Sequence, residues 1–489
     1  MPPAFPMSPM ALQHPWRPED PAFWAGTGQA VARRNLWLSV AALMLATAVW
    51  MLWSGVVACL PAAGFHYSPN QLYWLAALPG LSGATLRLFY AFGVPALGGR
   101  RFTTLATASL LLPAVGMGVA LQDPATAYEW MVVLALLCGL GGGNFASAMA
   151  HIGRCYPGAQ QGRALGLNAG LGQLGVVLVP ALVPLAIGAS LFGAWAGPAQ
   201  LTPDGPMWLQ NAGYVWVPLI LAATAGAWWG MDDLADRRAG LAEQAAVFLR
   251  GPTWSLCWLY LGSFGSFLGL AASLPLLLHS QFRLGPASPW LWAGPLLCSL
   301  LGVLLHPLGG WLADRLGGAR VSACVFLVMS LAAAAALLSL PGSGAGVGLG
   351  SGLGAGIAGP APQAAARAGQ AGPFLAAFGV LFGAAGLGSG SVQRMISRHF
   401  VHEQLRRAEA LPSAQHRALR QGQREAAAAL GLASAVGAYG AFAMPKGLGT
   451  AMALTGRPDA ALLTFITFYL SCLALAAWAC RRRNAHADF

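Results

Sequence analysis

The sequence predicts an all-α integral membrane protein of twelve transmembrane helices arranged as two pseudo-symmetric six-helix halves. Three observations carry this expectation. Hydrophobic residues make up 57% of the 489 positions and charged residues only 9%, against about 25% charged in ordinary soluble domains. Such a chain lacks the polar surface to cover a globule in water and must face lipid. Apolar runs recur at about 36–58, 71–93, 103–121, 128–151, 164–187, 213–231, 253–275, 289–311, 320–340, 374–396, 425–446 and 458–480, each near the ~20 residues that cross a ~30 Å hydrocarbon core. Finally, short motifs of the first six runs return in the second six.

The charge distribution orients the spans. With the amino terminus inside, the 27 Lys and Arg residues fall in or beside inner segments. The exceptions are Arg283, Arg367, Lys446 and Arg457 outside and Arg87 within a span. This is the positive-inside pattern, and it places both termini in the cytoplasm of a multi-pass inner-membrane protein. The net charge of +12 is therefore a topology signal, and no nucleic-acid partner is expected. No secretory signal is expected either, because residues 1–35 are Pro-rich and polar. The organisation reads as a cytoplasmic segment 1–35, a first half 36–231, a charged central loop 232–252, a second half 253–480 and a cytoplasmic tail 481–489. A flexible Gly/Ala-rich external loop is expected at 341–372. The basic loop 397–424 reads as a solvated or lipid-headgroup face. The eight cysteines form no Cys-x-x-Cys pair or His/Cys cluster, so neither a metal nor a cofactor is expected.

The repeat is legible in three pairs of segments. Gly98-Gly99-Arg100-Arg101 follows span two, and Ala313-Asp314-Arg315-Leu316-Gly317-Gly318-Ala319-Arg320 follows span eight. Gly139-Leu140-Gly141-Gly142-Gly143-Asn144 in span four matches Gly386-Leu387-Gly388-Ser389-Gly390-Ser391 in span ten. Ala164-Leu165-Gly166-Leu167-Asn168-Ala169-Gly170-Leu171-Gly172 in span five matches Ala429-Leu430-Gly431-Leu432-Ala433-Ser434-Ala435-Val436-Gly437 in span eleven. Small residues at these spacings predict close helix packing around a narrow path. None of the runs sits on a strand-to-helix turn or precedes Gly-Lys-Ser/Thr, so they are not phosphate loops.

The chemistry centres on Arg87. An arginine at mid-span costs at least ~2.5–3.5 kcal/mol and calls for a partner. Snorkelling is one reading, since about six residues, or about 9 Å of helix, separate it from the inner end of its span. A buried carboxylate is a second, but no Asp or Glu lies deep in any span. A substrate anion is the third. The spacing from Gly98 to Gly317, applied to Arg87, lands on His306, so two cationic or potentially cationic side chains should face each other across a central cavity. His306 also reads as a hydrogen-bonded core residue. Asn144, Asn168 and Gln173 could bond either an oxyanion or a neighbouring helix.

Several segments carry a resemblance. Trp16 to Trp24, Asn35-Leu36-Trp37, Ala46 to Ser54, Asn144 to Met149, the span-five segment, Gly265-Ser266-Phe267, Gly386 to Ser391, Met444-Pro445-Lys446 and Ala453 to Gly456 together resemble the bacterial nitrate/nitrite porters of the major facilitator superfamily. The span-five segment looks like that family's nitrate signature, and span eleven carries its second copy. The resemblance implies the major facilitator fold and the small inorganic anions nitrate and nitrite as substrates. It also implies a rocker-switch exchange serving nitrate assimilation or respiration. It further implies a substrate clamped by an arginine from span two and one from span eight, with aromatic walls. Residue by residue, it places Arg87, Tyr260, Phe145, Phe267 and Asn168 at the substrate. Asn144 and Ser434 join them as candidate contacts. Gly166, Gly170, Gly172, Gly431 and Gly437 become signature and gating glycines, and Arg101, Asp314, Arg315 and Arg320 the conformational loops. The chain departs from the family where His306 replaces the second arginine and Gln173 replaces the usual asparagine. Imidazole titrates near neutral pH, so the substitution opens a proton-coupled anion symport or a transport-dead anion sensor as alternatives. No nucleophile–base pair or metal cluster can be assembled, so an enzyme is not expected. A monomer in the lipid bilayer is.

Overall fold

The computed structural model describes residues 16–90, 93–234, 246–341, 360–408 and 415–485. The first half comprises α1 (Pro21–Cys59), α2 (Pro69–Tyr90), α3 (Gly99–Ala120), α4 (Tyr128–Cys155), α5 (Gly158–Ile187) and α6 (Asn211–Gly230). The second comprises α7 (Gly251–Phe282), α8 (Pro289–Leu312), α9 (Gly318–Leu338), α10 (Pro360–Arg407), α11 (Arg417–Thr455) and α12 (Asp459–Ala485). A small antiparallel hairpin, β1 (Gln200–Thr202) and β2 (Gly205–Met207), joins α5 to α6. Among the described residues, ten helical stretches are long and apolar enough to cross a membrane, and one of them, Pro289–Leu338, contains both α8 and α9. α2 is not among the ten; it carries Asn70, Gln71 and Arg87.

Helix boundaries depart from the sequence expectation at three places. α10 begins at Pro360, inside the stretch 341–372 read as a flexible loop. Alanine is the strongest helix former, and a proline in the first turn removes only an N–H that has no helical partner there. The run from Pro360 to Ala366 therefore extends the helix, while 342–359 lie outside the described residues. α1 likewise starts within the segment 1–35, where the Asp20 carboxylate accepts from the Ala22 N–H at 3.0 Å and caps the helix. Much of the loop 397–424 is also helical, because α10 runs on to Arg407 and α11 resumes at Arg417. Most of the central loop, 235–245, and the end of the tail, 486–489, lie outside the described residues.

Glycine sets the helix spacing in both halves. A Cβ at Gly83 or Gly142 would strike the other residue's helix and the Trp50 ring, locking α2, α4 and α1 together. In the second half Gly386 abuts the Gly302 backbone, Gly309 abuts Leu387 and Gly390 abuts the His306 carbonyl, locking α8 to α10. The expectation of close packing therefore holds for spans four and ten. In α5 and α11 it divides. Gly172 packs on Leu43 and Gly437 on Tyr260 and Phe264, whereas Gly166, Gly170 and Gly431 have no neighbour among the described residues within 4 Å of where a Cβ would stand. The repeat also shows in the backbone, with Gly98 at φ 90° and Gly317 at φ 89°, a region that glycine enters without steric cost.

The halves meet closely at the end of the bundle away from most arginines. There Gly80 lies on the Ala441–Phe442 backbone, Gly449 on Tyr73 and Gly55 on the Trp292 ring. Lys446 Nζ donates to Asn70 Oδ1 at 3.4 Å and sits 4.3 Å from the Trp74 ring. A small cavity between the halves is lined there by Ser54, Val179, Trp292 and Ser299.

Replacing Gly386 by valine should force α8 and α10 apart and destabilise the fold by about 1–3 kcal/mol, read as a lower melting temperature of the detergent-solubilised protein. Gly431→Ala enters open space and gains helix propensity, so its melting temperature should stay level or rise. A Gly386→Val protein as stable as Gly431→Ala would refute this account of the packing.

Candidate functional site

Arg87 is the charged group around which the site is built. It occupies the last turn of α2 and is 3% exposed. Its Nε donates to the Gly142 carbonyl on α4 at 2.9 Å, and its Nη1 donates to the Ser434 carbonyl on α11 at 2.8 Å. The guanidinium carbon lies 4.7 Å from the Phe145 ring centroid, 4.9 Å from Trp50 and 5.5 Å from Phe264. Ring faces carry partial negative charge and attract a cation, but supply no full counter-charge. Among the described residues no carboxylate pairs with Arg87. The side chain thus turns inward, held by both halves, and the snorkelling reading does not describe it.

Local helix geometry brings the aromatic wall to Arg87. Residues Leu261–Gly265 of α7 form a π-helical turn, an irregularity common at functional sites. It places Phe264 over Arg87 and stacks Tyr260 on Phe264 at 5.0 Å with rings 20° apart. The Tyr260 hydroxyl is buried and has no hydrogen-bond partner among the described residues. Above the site, Thr85 and Tyr439 join α2 to α11 through hydroxyls 3.0 Å apart.

The other expected residues divide. Phe145 lies against Arg87, and Tyr260 stacks on Phe264, which in turn lies against Arg87. Ser434 joins through its carbonyl, while its hydroxyl donates back to Gly431 O at 2.8 Å. Phe267 instead packs on Gly302 and on Phe382, 5.9 Å away. Asn144 turns its amide toward Ala106 O on α3 at 3.5 Å, and Asn168 toward Met149 Sδ at 3.8 Å. Each keeps a buried Oδ1 without a partner among the described residues, as Gln173 does its Nε2. His306, 8% exposed, donates from Nε2 to Gln393 Oε1 at 3.0 Å. Arg87 and His306 therefore have different polar partners rather than one shared. In the loops, Asp314 binds Arg394 at 2.7 Å and Arg398 at 2.9 Å, and Arg315 covers Trp311 at 4.1 Å. Arg320 is exposed. In the first copy Arg100, not the exposed Arg101, engages acid, with its N–H 2.8 Å from Asp233 Oδ1. Sequence reasoning passed over Trp50, Phe264 and Gln393. Trp50 and Phe264 had a signal, being aromatics within or beside quoted motifs.

Comparison with known proteins identifies the family. Residues 38–390 match the model of the Major Facilitator Superfamily. Nitrate/nitrite transporter NarU of Salmonella typhimurium is 41% identical over 461 residues, 94% of each chain, and that of Escherichia coli 40% identical over 465 residues, 95% of each. A probable nitrate/nitrite antiporter NarK2 of Thermus thermophilus is 39% identical over 65% of this chain and 72% of its own. The chain belongs to the nitrate/nitrite porter family of the major facilitator superfamily. The fold of this porter also matches the nucleoside transporter NupG (D323A mutant) with a TM-score of 0.57 and 12% identity, over 91% of this chain and 99% of that one. A bacterial homolog of the lysosomal transporter Spinster, in an inward-facing occupied conformation, gives 0.57 and 12% over 93% and 97%.

In the porter, Arg87→Gln should leave the ring wall without its cation and weaken anion binding at least tenfold, measured by titration of the purified protein. Arg87→Lys keeps charge but loses the planar fork, so it should fall between glutamine and wild type. Unchanged affinity in Arg87→Gln would remove Arg87 from the site.

Proposed function

We propose that the chain carries nitrate and nitrite across a bacterial inner membrane by alternating access, in exchange, with Arg87 as the fixed cation of the anion site. One observation supports this above the others: a guanidinium buried between both halves has backbone carbonyls and ring faces around it but, among the described residues, no carboxylate. An anion supplies the missing charge, and a planar oxyanion matches the fork of donors. The names of the relatives, nitrate/nitrite transporter and antiporter, supply the substrate class. Phe145, Trp50 and Phe264 wall the anion, and Tyr260 has an unpartnered hydroxyl to offer it. Arg87 already bonds the carbonyl of Ser434 across the halves, so an arriving anion competes with that bond and couples occupancy to how the halves meet.

Orientation follows from charge. The twelve spans are the ten apolar stretches with Pro289–Leu338 counted as two and α2 added. The basic end and both termini then face the cytoplasm. The halves meet at the opposite end through Gly80, Gly449 and Gly55, and at the basic end Gly158 lies beside Gln423.

Proteoliposomes loaded with nitrite should take up isotopically labelled nitrate, and liposomes without internal anion should take up at least tenfold less. No flux of either anion would overturn the substrate assignment. Uptake independent of internal anion would overturn exchange.

A further inference from the structure

His306 stands on α8 at the position that the internal repeat pairs with Arg87. The two residues differ in one property that matters, since the guanidinium is permanently charged and the imidazole is not. The His306 ring is buried, and its Nε2–H donates to the Gln393 carbonyl oxygen of α10 at 3.0 Å. A carbonyl oxygen can only accept, so this bond keeps the ring proton on Nε2 and leaves the Nδ1 lone pair open. Gln393 is well placed to do so, because Gly390, one turn before it, lies against the His306 backbone carbonyl and fixes α10 on α8.

Two rings of α7 stand near the two positions. Phe267 rests on Gly302, one helical turn before His306, and Phe264 rests on Arg87. The two phenylalanines are three residues apart on α7, with Phe264 beside Arg87 and Phe267 beside α8. The charged groups on the elements packed against α8 are engaged elsewhere or stand apart. Asp314 is held by Arg394 and Arg398, and Arg315 lies on Trp311. Arg320 and Cys324 on α9 and Arg163 on α5 are exposed, and His279 of α7 bonds Leu284 O. Among the described residues the polar partner of His306 is the neutral Gln393 alone.

We propose that His306 is a second anion contact whose charge is supplied by a proton, and that Gln393 is the residue that positions it. This rests on the transport reading above. Water on the open side gives a proton to the Nδ1 lone pair, and the new N–H donates to an oxygen of the anion. When the anion leaves, the same proton returns to water, so no covalent bond to the substrate forms or breaks. Anion and proton then favour each other's binding by the same factor. Exchange persists, because each half-cycle carries one anion and one proton. Nitrate is the probe of choice, as the anion of a strong acid that stays ionised throughout.

The test is nitrate/nitrate exchange in proteoliposomes at equal pH on both sides, from pH 5.5 to 8. Wild-type KM should rise with pH, by up to about tenfold per unit on the alkaline limb, the limit for one linked proton. His306→Arg should give a KM that no longer changes with pH, and His306→Gln a flat but higher one. Gln393→Glu should move the midpoint to higher pH, because a carboxylate at Nε2–H favours imidazolium; Gln393→Leu should raise KM and shift the midpoint. A lost structural contact would lower the rate without moving a midpoint. A flat wild-type KM, or a wild-type profile in His306→Arg, overturns the proposal while leaving transport standing. Wild-type protein that moves no nitrate at any pH overturns the transport reading itself.

Discussion

The structure depends on a buried cation, Arg87, that no carboxylate among the described residues neutralises. Desolvating a guanidinium is costly, and carbonyls and ring faces return only part of that cost. The Arg87 site is therefore stable enough to fold and unsatisfied enough to attract an anion. Its two carbonyl partners come from different halves, Gly142 from the first and Ser434 from the second. One side chain thus senses both occupancy and the relation of the halves.

Reaching those carbonyls requires helices closer than side chains normally allow. Gly83 and Gly142 bring α2 onto α4, and Trp50 closes over them with its indole N–H donating to Pro79 O at 2.7 Å. The second half repeats the device with Gly302, Gly386 and Gly390 around α8 and α10. The same packing delivers a permanent cation in one half and an imidazole bound to Gln393 in the other. The scaffold is symmetric, and its charge is not.

Much of the site was legible because membrane burial makes polar residues conspicuous. Arg87 stood out as the one Lys or Arg deep in a span, and Phe145 and Tyr260 followed from the family resemblance. Phe267 and Asn144 did not reach Arg87: Asn144 turns to Ala106 O on α3, and on α7 the π turn at Leu261–Gly265 shifts the helical register, in which one residue turns a side chain by about 100°. The same turn brings in Phe264. The Gly142 and Ser434 carbonyls had no sequence signal at all, since every residue carries one. Pro360 to Ala366 misled in the other direction: low complexity resembles a loop, yet alanine favours helix.

What the sequence determined by itself is what depends on composition and spacing: the solvent the chain faces, the spans, their repeat, and the depth of Arg87 and His306. These follow from transfer free energies, which are sums over residues. Only the tertiary structure decided which groups touch. It gave Arg87 two carbonyls and three rings, gave His306 a glutamine, and left Gly166, Gly170 and Gly431 facing open space while Gly172 and Gly437 packed. Contacts of that kind depend on helix rotation and on approach between distant segments, to within about an ångström, and no local run of residues encodes them.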